Sequence, residues 1–131
     1  MEEAEVRWEE YHADDARLLI VSYGSSARLA RGAVDQARQV GLPVGLLRPI
    51  TLWPFPQATL RDLGWKANKV LVVEDSPGEM VEDVEAALQG KVPVHFLGME
   101  ARYIPKSRGL VPGGSGLIMP ERILEEIKTL L

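Results

Sequence analysis

The turn Tyr23-Gly24-Ser25-Ser26-Ala27-Arg28 follows an apolar run and opens a helical pattern. Backbone amides at such a helix start, with the serine hydroxyls and Arg28, could hold a phosphate or carboxylate. Gly24, Ser25, Ser26 and Arg28 are therefore the candidate anion site, although an ordinary cap in a tight turn is the plainer reading. The turn contains neither G-x-G-x-x-G nor G-x-x-x-x-G-K-[ST], so neither the dinucleotide fingerprint nor the phosphate loop of nucleotide hydrolases is present. A phosphoacceptor module would need an acidic pair here, and Ser22, Tyr23 and Gly24 hold that place.

The most unusual segment is Arg48-Pro49-Ile50-Thr51-Leu52-Trp53-Pro54-Phe55-Pro56. Two large aromatic rings stand among prolines that pre-set the backbone, so the segment loses little entropy on binding and carries good buried anchors. It reads as a docking surface, with a loop folded onto its own core as the alternative. Glu74-Asp75 closes an apolar run at the strand end where α/β sites gather. Acid–base work would require a second group opposite with a perturbed pKa. A carboxylate capping a loop amide, or pairing with Arg48, is the simpler role. His12 stands in an acidic, exposed-looking stretch and His95 in an apolar strand, and neither completes a Ser/His/Asp arrangement. Lys106 to Arg108, with Gly109, Gly113 and Gly114, reads as a loop before it reads as an anion grip. No catalytic residue and no metal ligand set is assigned.

Composition narrows the chemistry further. A chain without cysteine has no disulfide, no thiolate for zinc or an iron–sulfur cluster, and no cysteine nucleophile. A net charge of −4 with no basic stripe argues against nucleic-acid binding. No apolar run approaches the ~20 residues that span a bilayer, and residues 1–10 lack the basic and apolar pattern of a signal peptide. The expectation is a cytoplasmic protein.

The elements that must position these residues follow from four apolar runs, Leu18–Val21, Val44–Leu47, Val70–Val73 and Val92–Leu97. Each is too short for a helix and continuous enough for a strand covered on both faces. Their spacing leaves room for one helix between each pair, the rhythm of βαβ crossovers. The first crossover helix spans Ser26 to Gln39, with Ala30, Ala33, Val34, Ala37 and Val40 inward, Ser25 or Ser26 as cap, and Gly41 and Pro43 as stop. The second is a short helix, Gln57 to Leu63, because the prolines before it forbid anything longer. The third opens with a capping box, Ser76-Pro77-Gly78-Glu79, and buries Met80, Val81, Val84, Ala87 and Leu88 before Gly90. A closing helix from Pro120 turns Ile123, Leu124, Ile127 and Leu130 inward. The predicted fold is a three-layer α/β/α sandwich around a mostly parallel sheet of about five strands, spanning residues 14–131. Residues 1–13 are expected to be an arm or linker, and the Gly98–Gly116 region a long loop that supplies a further edge strand.

Residues 21–28, then Ala33-Val34, Ala37-Arg38 and Gly41, then Val44 through the proline–aromatic segment, and Val70–Glu74, together resemble the transketolase C-terminal-like domain of 2-oxoacid:ferredoxin oxidoreductase α subunits. The 2-oxoisovalerate and 2-oxoglutarate types look closest, and the match covers roughly residues 14 to 97. Glu79 stands where the family commonly has glutamine, and the Gly98–Gly116 region is longer than the family pattern. The resemblance implies oxidative decarboxylation of a 2-oxoacid to an acyl-CoA with reduction of ferredoxin. It implies thiamine diphosphate, coenzyme A and iron–sulfur clusters in the complete enzyme, with none bound by this chain alone. It also implies partners: the remaining α-subunit domain, the β subunit and a ferredoxin-like subunit. The chain is thus expected to be a severed or separately encoded terminal domain, inactive alone, that packs against the rest. The expected interface takes Arg48, Pro49, Trp53, Pro54 and Phe55 from the proline–aromatic segment, and Glu74, Gly78 and Met80 from the strand-end loop. The alternative is a free-standing anion- or nucleotide-binding module.

Overall fold

A computed structural model describes residues 7–50, 56–74, 80–98 and 120–131. In chain order the elements are β1 (Trp8–Tyr11), β2 (Leu18–Ser22), α1 (Gly24–Gln39), β3 (Val44–Pro49), α2 (Gln57–Ala67), β4 (Val70–Val73), α3 (Val81–Leu88), β5 (Val94–Leu97) and α4 (Pro120–Leu130). One five-stranded sheet runs in the order β1-β3-β2-β4-β5. Its four inner-sequence strands are parallel, and β1 lies antiparallel to β3.

Side chains alternate across each strand, so one continuous apolar run feeds two cores. Leu19, Val21, Leu47, Val70 and Val72 face Leu60, Leu63, Val84 and Leu88 of α2 and α3. Leu18, Ile20, Val44, Leu46, Leu71 and Val73 face the Ala30, Ala33, Val34 and Ala37 stripe of α1 and Ile123 and Ile127 of α4. The chain steps from β2 outward to β3, then back past β2 to β4 and on to β5. Right-handed crossovers in opposite directions must lie on opposite faces, which sends α1 to one side and α2 and α3 to the other. The predicted three-layer sandwich with a mostly parallel five-stranded sheet is the observed fold.

Several boundaries move, each for a physical reason. The first helix begins at Gly24, with Tyr23 as its N-cap residue. Val40, assigned by periodicity to the buried stripe, is the C-cap and is 66% exposed. There the chain leaves the helix through Gly41, whose φ of +86° favours a residue without Cβ. Helix α2 continues to Ala67, because Gly64 allows the close approach of Leu88, which a Cβ would meet at 2.5 Å. Two side chains of α2 then satisfy the C-terminal carbonyls of α3: Arg61 Nε donates to Ala87 O at 3.0 Å and Trp65 Nε1 to Leu88 O at 3.1 Å. Lys69 Nζ likewise donates to Leu130 O near the end of α4.

The largest change concerns the supposed arm. Residues 8–11 form the antiparallel edge strand, and Ala13 is 5% exposed within the core. The strand carries acidic residues on exposed positions, which hides it from a search for apolar runs, yet an edge strand needs only backbone pairing and one useful face. The bend that follows presses on β3 so closely that a Cβ on Gly45 would lie 2.3 Å from His12 O. Arg38 fastens the same bend: its guanidinium donates to Asp15 (2.7 and 3.1 Å) and to His12 O (2.9 Å), while its Nε donates to Val44 O (3.0 Å). The edge strand expected from the Gly98–Gly116 region, and the capping box Ser76–Glu79, lie on residues outside those described.

Candidate functional site

In an open parallel sheet the natural place for a ligand is the crevice at the carboxyl ends of two neighbouring strands whose outgoing connections diverge, one toward each edge of the sheet. Here that point lies between β2 and β4, followed by α1 and α3. It is packed with the protein's own polar groups. Ser22, Ser26 and Glu74 are each 0% exposed. Ser26 Oγ lies 2.8 Å from Tyr23 O, 2.9 Å from Ser22 Oγ and 3.3 Å from Val73 O. A hydroxyl donates one proton at a time, so Ser26 donates to a carbonyl while Ser22 donates to it. The pair joins the ends of β2 and β4 across the crevice.

Glu74 closes the other side. Its carboxylate accepts the Met80 amide on both oxygens, at 3.0 Å each, and the Val81 amide at 3.2 Å. Those amides belong to the start of α3, where free N–H groups and the helix dipole favour a negative group. The side chain that caps the helix thus comes from the preceding strand, and Met80 itself supplies no side-chain cap. Of the two simple roles open to Glu74 from sequence, amide capping is the one observed. Arg48 pairs with Glu9 at 3.1 Å. Among the described residues, no buried side-chain nitrogen or oxygen lacks a hydrogen-bond partner.

The structure disperses the candidate residues. Of the anion set, Gly24, Ser25 and Arg28 are exposed, but the Ser26 hydroxyl points inward and is spent. Gly24 and Arg28 line a cleft of about 430 Å³ between α1 and the β1–β3 edge, together with Arg31, Arg48 and Tyr11. Arg31 and Tyr11 were not singled out from sequence; the spacing of Arg28 and Arg31 on one helix flank was the available signal. Of the interface set, Glu74 is 0% and Met80 2% exposed, Pro49 is buried and Arg48 half-buried. Glu74 and Met80 therefore offer almost no surface of their own. Trp53, Pro54, Phe55 and Gly78 lie outside the described residues. Their neighbour Ile50, just beyond β3, is 47% exposed. His12 is exposed and His95 half-buried in β5.

The chain has no thiolate to give a cluster. Among the described residues no group of three or more His, Asp or Glu side chains could hold a metal ion. No described helix is long and apolar enough to cross a membrane.

Comparison with known proteins adds the following. The family model for pyruvate:ferredoxin oxidoreductase core domain II matches residues 16–104. The chain is 52% identical over 87 residues to the ketoisovalerate oxidoreductase subunit VorB of Methanothermobacter thermautotrophicus, covering 66% of this chain and 25% of that protein. It is 32% identical over 111 residues to the 2-oxoglutarate synthase subunit KorA of Archaeoglobus fulgidus, covering 85% of this chain and 28% of that subunit. The chain thus spans about a quarter of the length of the curated relatives it matches. Among solved structures, the fold matches a split-gene transketolase in an inactive beta4 tetramer with a TM-score of 0.72 at 15% identity, covering 94% of this chain and 40% of that one. It also matches the 2-oxoglutarate:ferredoxin oxidoreductase from Magnetococcus marinus with 2-oxoglutarate, coenzyme A and succinyl-CoA bound, with a TM-score of 0.65 at 22% identity, covering 94% of this chain and 19% of that one.

Proposed function

The chain belongs to the pyruvate:ferredoxin oxidoreductase core domain II family, and from that premise we propose that it is the packing domain of a 2-oxoacid:ferredoxin oxidoreductase subunit, a support for the assembled enzyme that does no chemistry alone. The observation that carries this reading is the closed crevice. Where an α/β domain ordinarily places its ligand, Ser22, Ser26 and Glu74 are wholly buried and bonded to one another or to the chain's own backbone. Among the described residues, the polar side chains of that crevice are thus already engaged within the protein.

The partners are the remaining domain of the α-type subunit, the β subunit and the ferredoxin-like subunit, and through them ferredoxin. In the complete enzyme thiamine diphosphate supplies the carbanion chemistry, coenzyme A accepts the acyl group and iron–sulfur clusters carry the electrons. This chain's contribution is an edge. The parallel strands β3 and β4 end on the same side of the sheet, so Ile50 and Glu74 both stand at that edge. Glu74 joins the end of β4 to the start of α3. Ile50 is exposed there and is followed in the sequence by the proline–aromatic segment, which supports this edge as the surface that a partner covers. The comparisons do not support the alternative of a free-standing binding module.

The test is assembly. The 131-residue chain is mixed with the purified remaining subunits, followed by size-exclusion chromatography and a viologen-dye assay with 2-oxoacid and coenzyme A. Co-elution in a defined complex, with no dye reduction by the chain alone, is expected. Separate elution, or turnover by the chain alone, overturns the proposal.

A further inference from the structure

We propose that the cleft between α1 and the β1–β3 edge binds a small molecule bearing an oxyanion, phosphate or carboxylate. Its volume of about 430 Å³ lies within the range of small-molecule sites, roughly 300–1,000 Å³. The opening has a structural cause. Strand β1 extends the sheet past α1, and between its two arginines the helix shows the cleft a small side chain, Ala27, with Leu46 of β3 beside it. The walls are cationic. Arg28 and Arg31 are three residues apart on one flank of α1, and Arg48 faces them from β3.

Two of the guanidinium groups, those of Arg31 and Arg48, are held in place with most of their donors unspent. Each has five N–H groups. Arg48 uses Nη1 on Glu9 at 3.1 Å. Arg31 lies over the Tyr11 ring, 4.3 Å from its centre. Stacking engages the flat face of the guanidinium and leaves its edge N–H groups to a ligand. The Tyr11 hydroxyl donates to Asp35, which fixes the ring beneath Arg31. Among the described residues Arg28 has no hydrogen-bond or ion-pair partner. Two carboxylates also line the cleft: Glu9 pairs with Arg48, and Glu10 accepts Trp8 Nε1 at 3.0 Å and keeps its charge, so three arginines stand against two carboxylates. What remains is an excess of planar, charged donors on a chain whose net charge is −4. Such donors match oxyanions, often two bonds at a time. This inference holds or fails independently of the assembly reading, because it concerns groups that the chain itself brings together.

The test is a nuclear magnetic resonance titration of the ¹⁵N-labelled 131-residue chain with inorganic phosphate, pyrophosphate and citrate, at ionic strength fixed with sodium chloride. Saturable shifts at Gly24, Ala27, Arg28 and Arg48 with at least one probe are expected. Pyrophosphate against citrate tells a phosphate source from a carboxylate source. Arg28→Ala removes a side chain that holds nothing else in place and should weaken binding about tenfold, about 1.4 kcal/mol. Arg17→Ala, an exposed arginine outside the cleft, should leave affinity unchanged. Spectral dispersion reports that each variant is folded, and Arg28→Gln provides a second substitution. The proposal is overturned by no saturable shift with any probe, by equal binding in both Arg28 variants, or by an equal loss in Arg17→Ala.

Discussion

Replacing Glu74 with glutamine changes one oxygen to an amine and almost nothing in volume, so it isolates what the buried carboxylate contributes. At present two oxygens share the Met80 amide at 3.0 Å and one of them also takes the Val81 amide at 3.2 Å. Hydrogen bonds to a charged group contribute about 1.5–3 kcal/mol each, and a negative group at a helix start adds about 0.3–1 kcal/mol. In Glu74→Gln the remaining oxygen keeps the Met80 amide. The new NH2 can only donate, and it faces backbone groups that also donate. Among the described bonds, one charge-assisted bond and the dipole interaction are lost, a cost of about 2–3 kcal/mol. Glu74→Ala leaves the amides dry and unpartnered beside a cavity and costs more, about 4 kcal/mol. Against a total stability of about 5–15 kcal/mol these are large fractions. Urea denaturation reads them directly. With a slope of about 1–3 kcal/mol/M, Glu74→Gln lowers the midpoint by about 0.7–3 M. Hydrogen exchange gives the local readout, since protection should fall first at the Met80 and Val81 amides. A Glu74→Gln variant within about 0.5 kcal/mol of the parent, with both amides as protected as before, would refute the reasoning.

Two further outcomes follow from the fastening of β1. In Gly45→Ala the new methyl meets the His12–Ala13 peptide, His12 O at 2.3 Å and Ala13 Cα at 2.8 Å, so no side-chain rotation relieves it. Overpacking of this kind costs about 2–3 kcal/mol and should lower Tm by about 6 °C or more, with exchange rising at the Ile50 amide, which donates to Arg7 O; an unchanged melting curve counts against the observed bend. The Arg38 guanidinium holds the Asp15 carboxyl below its ordinary value, through their hydrogen bond before any other cause. A depressed carboxyl stabilises the fold above its unfolded pKa, near pH 4, and that contribution disappears as pH falls through the lower folded value. Asp15→Asn should therefore flatten the fall in urea midpoint below about pH 4 and leave the shape of the profile near neutrality unaltered. The effect is small because Asp15 is solvent-exposed, and an identical acid limb in parent and variant would show that the pair contributes nothing.

Much of the architecture was legible because it is local. Val70–Val73 is a strand at the bounds read from composition, and the alanine stripe of α1 faces the sheet as periodicity demands. The proline–aromatic segment and the strand ending in Glu74 also carried the resemblance that the family match bears out. What failed was also physical. The rule that finds buried strands looks for apolar runs, and Trp-Glu-Glu-Tyr is not one. Val40 obeyed the helical period and still ended outside, because the helix stops there. Ser26, offered with Ser25 as the helix cap, is a core hydroxyl facing the end of β4, and Tyr23 holds the N-cap position. The amide-capping role read for Glu74, by contrast, is the one observed.

By itself, the amino-acid order determined that four strands and their crossover helices form a layered α/β domain with no thiolate chemistry, since each of those conclusions depends on residue types within a turn or two of one another. Only the tertiary structure decided which polar groups are spent and which stay open. Ser26 meets Val73 across 47 positions of chain, and Glu9 meets Arg48 across 39. Those encounters close the crevice at the sheet's end and leave an arginine-lined cleft at its edge. They depend on strand order and register, which no local pattern encodes.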